Sequence, residues 1–254
     1  MATLILVAFL GRNVGTFTVS LDTGDLALSL SKKKDLSSPT SFLAVKKLDP
    51  FEEMTFTDLP KASVLDDADT DEEKSGLEVG EDGFRSRDYF KYTFYVFNAG
   101  TKVADYDLSL TLREDHASSD GRSLFDTVRV LLFDNSTEES HDYEVYAKAP
   151  TKDTRVDENG NKSEYEYVSN SPQSADSEHP FQGFAKNFLP LGQEKTGPVI
   201  RKKVSGLSDG QWHRYTFVFY QEGDDPDSSS LDTAPSGAKL KFSVEVNAYE
   251  HQEE

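Results

Sequence analysis

The chain has 254 residues and sets 27 Lys and Arg against 46 Asp and Glu, a formal net charge of −19. So acidic a surface repels nucleic acid and anionic membranes, which are held by Lys and Arg clusters that displace counterions. Cysteine is absent, which excludes thiol catalysis, Cys-ligated zinc and disulfide staples.

Residues 2–10 (ATLILVAFL) form an apolar run too short to span a bilayer, which takes about 20 residues. The run has the length of the apolar part of a signal peptide, although no Lys or Arg precedes it. Residues 1–7 are expected to be the remnant of an export signal. Phe17, Val19 and Leu21 then alternate, and beyond Asp22-Thr23-Gly24-Asp25 so do Leu26, Leu28 and Leu30, the spacing of half-buried strands. Lys32-Lys33-Lys34 reads as a solvated strand end.

Further along, residues 63–83 are strongly acidic and read as a flexible loop. Residues 88–112 carry the clearest hairpin pattern. Phe90, Tyr92, Phe94 and Val96 share one face, Asn98-Ala99-Gly100-Thr101 turns, and Ala104, Tyr106, Leu108, Leu110 and Leu112 line the return. Residues 124–133 (LFDTVRVLLF) predict another strand with Val128, Val130 and Leu132 on one side. Residues 135–179 are polar; Tyr143, Val145 and Tyr146, then Tyr165, Tyr167 and Val168, flank a long hairpin with its tip at Asn159-Gly160. Residues 181–189 predict one short helix. Two late strands close the chain: 212–220 with Tyr215, Phe217 and Phe219 inward, and 239–249 with Leu240, Phe242, Val244, Val246 and Ala248 inward. Short strands with turn signals, no repeat and no long helical period predict an all-β chain. It is a single β-sandwich domain over residues 25–254, with at most one or two short helices and polar insertions at about 60–84 and 135–198. The 17 Phe and 11 Tyr supply its core.

Residues that carry chemistry are sparse. The five histidines, His116, His141, His179, His213 and His251, stand far apart and none pairs at the i, i+4 spacing of a zinc-protease helix. No G-x-S-x-G elbow, phosphate-binding loop or dinucleotide fingerprint occurs. No enzymatic activity and no resident cofactor are expected. Acidic clusters could offer hard oxygens to calcium: Asp66, Asp67, Asp69 and Asp71 in the first loop, and Glu222, Asp224, Asp225 and Asp227 after the penultimate strand. The second cluster, stiffened by Pro226, is the better candidate for a weak calcium site; a solvated acidic turn is the plainer reading of the same residues.

Three stretches carry a resemblance. Ala8-Phe9-Leu10, Thr16-Phe17-Thr18 and Gly24-Asp25-Leu26-Ala27-Leu28-Ser29-Leu30 follow one another as they do at the mature start of the TasA and camelysin (CalY) family of bacterial surface proteins. The strand ending at Asn98-Ala99-Gly100 and the final strand KLKFSVEVNA resemble the same family; under half of the chain is touched. The resemblance implies a SipW-type signal peptide with the mature chain starting near Ala8 or Phe9, a sandwich of jelly-roll type and secretion to the extracellular space or cell surface. It also implies assembly with other copies of itself, head to tail, into biofilm-matrix filaments. Residues 8–24 would be the donated strand segment, with Phe9, Val14, Phe17, Val19 and Leu21 as anchors, added by backbone pairing to a neighbour's sheet. A contact that repeats without closing makes a filament rather than a ring. Other matrix or cell-surface components are further partners; no nucleic acid and no stable transmembrane segment are expected. The alternative is a monomeric surface-attached adhesin or ligand-binding sandwich. A camelysin-type metalloprotease is the reading the residues support least.

Overall fold

The computed structural model describes residues 2–3, 6–10, 15–16, 26–36, 39, 44–45, 53–54, 56–66, 78–81, 86–118, 121, 123–134, 142–149, 153–156, 162–165, 185–222 and 238–251. Its strands begin with β1 (Ala2–Thr3), β2 (Leu6–Leu10), β3 (Gly15–Thr16), β4 (Leu28–Ser31), β5 (Ala44–Val45) and β6 (Glu53–Met54). There follow β7 (Glu78–Glu81), β8 (Ser86–Asn98), β9 (Ala104–His116), β10 (Val128–Asp134), β11 (Tyr143–Ala147) and β12 (Asp153–Val156). The last are β13 (Lys162–Tyr165), β14 (Lys186–Asn187), β15 (Gly197–Leu207), β16 (Trp212–Glu222) and β17 (Lys239–Glu250). Two single-turn helices, α1 (Ala62–Leu65) and α2 (Leu124–Thr127), interrupt them.

The fold is an all-β sandwich, as the sequence predicts. One sheet has the order β1-β17-β9-β15, with β2 also on β17; the other has the order β14-β11-β10-β16-β8-β4, with β6 on β16 and β7 on β8. The inward positions read from alternation form the core between the sheets: Leu28, Leu30, Phe90, Tyr92, Phe94, Val96, the β9 and β17 sets, and Tyr215, Phe217 and Phe219 are all buried there. Ring contacts tie them together, Phe94 to Phe217 at 6.3 Å and Phe219 to Phe242 at 5.6 Å across the layers. Such offset and tilted pairs are the favoured geometry for aromatic rings.

Four expectations need correction. The 88–112 pattern is not a hairpin: β8 pairs with β16, β4 and β7, while β9 pairs with β15 and β17 in the opposite sheet. Alternation marks the face that is buried but not the strand that lies alongside, so a corner between sheets and a hairpin read alike. Residues 124–127 are a helical turn rather than strand, because the Ser123 hydroxyl accepts from the Phe125 N–H at 3.0 Å, an N-cap bond. The helix predicted over 181–189 is replaced, within the described residues, by the extended β14, parallel to β11. Leu189 precedes Pro190, a position biased to extended backbone, and Phe188 is buried on Phe125 with ring centroids 5.3 Å apart. Finally, Tyr143–Ala147 belongs to the main sheet beside β10, so the protruding hairpin shrinks to β12 and β13, which pair Val156 with Lys162 around residues 157–161.

The acidic stretch after residue 60 is more structured than its composition suggests. Phe56, Leu59 and Leu65 cover the outer face of the second sheet, packing with Tyr89, Leu131, Phe133, Val145, Val218 and Tyr220. Asp66, fully buried, accepts from the Arg214 guanidinium at 2.7 Å, so this candidate calcium ligand is a strut between the covering segment and β16. In the same region β7 pairs with β8.

Candidate functional site: the β17 edge

β17 is flanked on both sides. Its inner neighbour is β9, paired from Lys239 opposite His116 to Glu250 opposite Ala104, with an irregularity between Lys241 and Phe242. Its other edge is taken by the chain's own beginning: β2 places Leu6 opposite Val244, Ala8 opposite Phe242 and Leu10 opposite Leu240, and β1 places Ala2 opposite Ala248. Backbone pairing satisfies an otherwise open row of N–H and C=O groups, the hazard of any sheet edge. Of the anticipated anchors, Phe9 lies opposite Lys241; Val14, Phe17, Val19 and Leu21 lie outside the described residues. The processing point expected near Ala8 or Phe9 falls inside β2.

The outer face beside this edge is polar. The Arg113 Nε donates to Ser243 Oγ at 2.7 Å, and its guanidinium pairs with Glu245. At the far end of β17, a side-chain cluster joins three strands. Asp105 on β9 accepts from the Ser205 hydroxyl at 2.9 Å and the Gly206 N–H at 2.8 Å, and His251 Nδ1 lies 2.8 Å from the same oxygen. The β15 irregularity between Val204 and Leu207 swings these donors toward Asp105, and Gly206 has φ of +79°, a conformation that favours glycine. Burial pushes the Asp105 carboxyl up, but the Gly206, His251 and Ser205 contacts outweigh it and leave the group below its usual range. Ser, His and Asp meet here without forming a nucleophile relay. The serine proton is spent on the carboxylate, and Ser205 Oγ approaches the histidine only at 3.4 Å through the same Nδ1.

Behind Asp105, its chain neighbour Tyr106 points inward and makes polar contacts between the layers. Tyr106 Oη lies 3.0 Å from His213 Nδ1 and 2.7 Å from Tyr215 Oη. Burial pushes both tyrosines above their usual range, and it pushes His213 down. The corner between the sheets is fixed by Asn98, fully buried. Its amide donates to the Lys102 and Leu207 carbonyls at 2.7 and 2.9 Å, and its oxygen accepts from the Gly100 N–H at 2.9 Å.

At the open side of the sandwich, Glu144 gathers Lys186 from β14, Lys202 from β15 and the Tyr146 hydroxyl. Burial would raise its carboxyl, yet these partners hold it down at about 2. Sequence reasoning found the inward positions of Tyr106 and Tyr215. It missed the Asp105, Ser205 and His251 cluster, which only the register of three strands assembles.

The proposed calcium turn is partly visible. Glu222 is 1% exposed and accepts from the Tyr220 hydroxyl at 2.9 Å; Asp224, Asp225 and Asp227 lie outside the described residues, as do Asp67, Asp69 and Asp71. Among the described residues no group of three or more His, Asp or Glu is placed to hold a metal ion, and no helix is long and apolar enough to cross a membrane. Compared with protein-family models, with curated proteins and with solved structures, the chain matches none.

Proposed function

We propose that this chain is a secreted structural subunit of an extracellular filament, joined head to tail by donation of its N-terminal strand segment. The observation that supports the reading is that the start of the donated segment already lies along β17, with Ala8 opposite Phe242 and Leu10 opposite Leu240. A strand paired along such an edge can be supplied in the same register by another copy, because backbone pairing does not depend on which chain provides it. The TasA-like stretches at Ala8 to Leu10, Thr16 to Thr18 and Gly24 to Leu30 point the same way. In this reading the exported chain is cut near Ala8 or Phe9, and residues 8–24 pass to the neighbour.

The test compares wild type with a Phe17→Asp/Val19→Asp variant and with a deletion of residues 8–13, by sedimentation and negative-stain microscopy. Each apolar anchor buried across a subunit boundary contributes about 1.5–3 kcal/mol, and an unpaired buried carboxylate adds a desolvation cost. Wild type is expected to form fibres; the variants should stay monomeric with a β-type circular dichroism spectrum. A wild type that never polymerises overturns the filament reading in favour of a monomeric binding module, with the separate β12–β13 hairpin as its first candidate contact. Fibres from both variants would place the donated strand elsewhere.

A further inference from the structure

Tyr106, His213 and Tyr215 put three polar atoms in a row inside the sandwich, and the count of protons on that row decides its stability. Tyr106 on β9 and Tyr215 on β16 are fully buried, while His213 on β16 is half-buried and reachable by water. Two hydrogen bonds link the row, at 2.7 and 3.0 Å. With His213 neutral and Nδ1 bare, both hydroxyl protons are used: Tyr215 donates to Tyr106, and Tyr106 donates to Nδ1. With Nδ1 protonated, three protons compete for the two bonds of the row, and one buried hydroxyl loses its acceptor there. A buried donor without a partner is strongly unfavourable.

We propose that this row is a proton-operated latch between the two sheets, closed while His213 Nδ1 is bare and released when that nitrogen takes up a proton. The groups facing it come from every neighbouring strand. β8 brings Val96 opposite His213 and no charge. From β10 comes Asp134, paired in register with Tyr215, which draws His213 toward the charged form. β15 brings Lys202, 3.6 Å from Asp134, which offsets that pull. Burial prevails and holds the His213 titration below its ordinary range, so the latch opens on acidification. On the outer side of β9, Asp105 holds His251 Nδ1 at 2.8 Å, a contact separate from the row.

Nitrogen-detected NMR of the monomeric protein across pH tests this directly, read beside amide exchange in β9 and β16. The expected result is a neutral His213 with Nδ1 bare and a midpoint below the ordinary value of about 6.5. Protection around Tyr106 and Tyr215 should fall about tenfold per pH unit below that midpoint. Tyr106→Phe removes the bond that favours the bare nitrogen and should move the midpoint up; His213→Gln should abolish the pH step. His251→Gln should leave both the midpoint and the step in place. The latch is overturned by a neutral His213 protonated at Nδ1, or by a midpoint at or above the ordinary value. It is overturned equally by a midpoint that Tyr106→Phe does not move, or by loss of the step in His251→Gln.

Discussion

Along β9 and β17 of the first sheet, apolar residues alternate with Asp107, Thr111, Arg113, Lys241, Ser243 and Glu245, and only the inward set joins the core. Along β8, β10 and β16 of the second sheet both sets are buried: Val130 and Leu132 face the first sheet, while Leu131 and Phe133 lie in the cluster capped by Phe56, Leu59 and Leu65. The sequence mirrors the difference, with KLKFSVEV alternating and VRVLLF or YTFVFY nearly continuous. A strand covered on one face reads as alternation, and one covered on both as an apolar run. The sheet that carries the β17 edge is thus the one whose outward set is polar, and the second sheet is apolar on both faces.

The strongest way to break this arrangement is through the layer the sheets share. Phe217→Ala, removing a ring in contact with both Phe94 and Phe219, is expected to cost about 3–5 kcal/mol, read as a lowered denaturant midpoint. A sharper comparison uses matched outward positions. Val218→Ala on β16, where the residue is fully buried, should cost about 2 kcal/mol, whereas Asn247→Ala on β17 should change stability by no more than about 0.5 kcal/mol. Equal effects would mean that the covering segment contributes nothing to the second sheet.

A smaller effect than at Phe217 or Val218 is expected at the seam. The folded Glu144 carboxyl, at about 2, lies below its ordinary 4.5. Its contribution is complete above the ordinary value and is lost as pH falls from there toward 2. Because Lys186 is largely exposed, the contribution is discounted to about 1 kcal/mol. Denaturation of Glu144→Gln should therefore differ from wild type at pH 7 and converge with it near pH 2.

How much of this was legible follows from the same contrast. Inward positions on β4, β8, β9, β16 and β17 could be read because a period of two depends only on local sequence. The partnering of those strands could not: nothing in residues 98–104 distinguishes a hairpin from a corner, and it is the Asn98 amide, reaching the Leu207 carbonyl, that holds the corner. The cover at residues 56–66 was hidden because its buried Phe56, Leu59 and Leu65 follow no period of two and lead directly into the acidic stretch. The cluster of Asp105, Ser205 and His251 was invisible, since it exists only once β9, β15 and β17 are in register.

The corner at Asn98 also has a kinetic consequence. Because β8 and β9 do not pair with each other, their long partnerships are drawn from far along the chain: Thr93 meets Thr216 across 123 residues, and Asn98 meets Leu207 across 109. Closing such long loops costs entropy before any ladder forms, and β topologies of this kind fold in milliseconds to seconds rather than microseconds. The β8–β16 and β9–β17 ladders therefore have no local nucleus and cannot form until residues beyond 200 have joined, although β7 and β4 reach β8, and β11 reaches β10, from nearby. Closing the long ladders of the two sheets is a late, whole-molecule event.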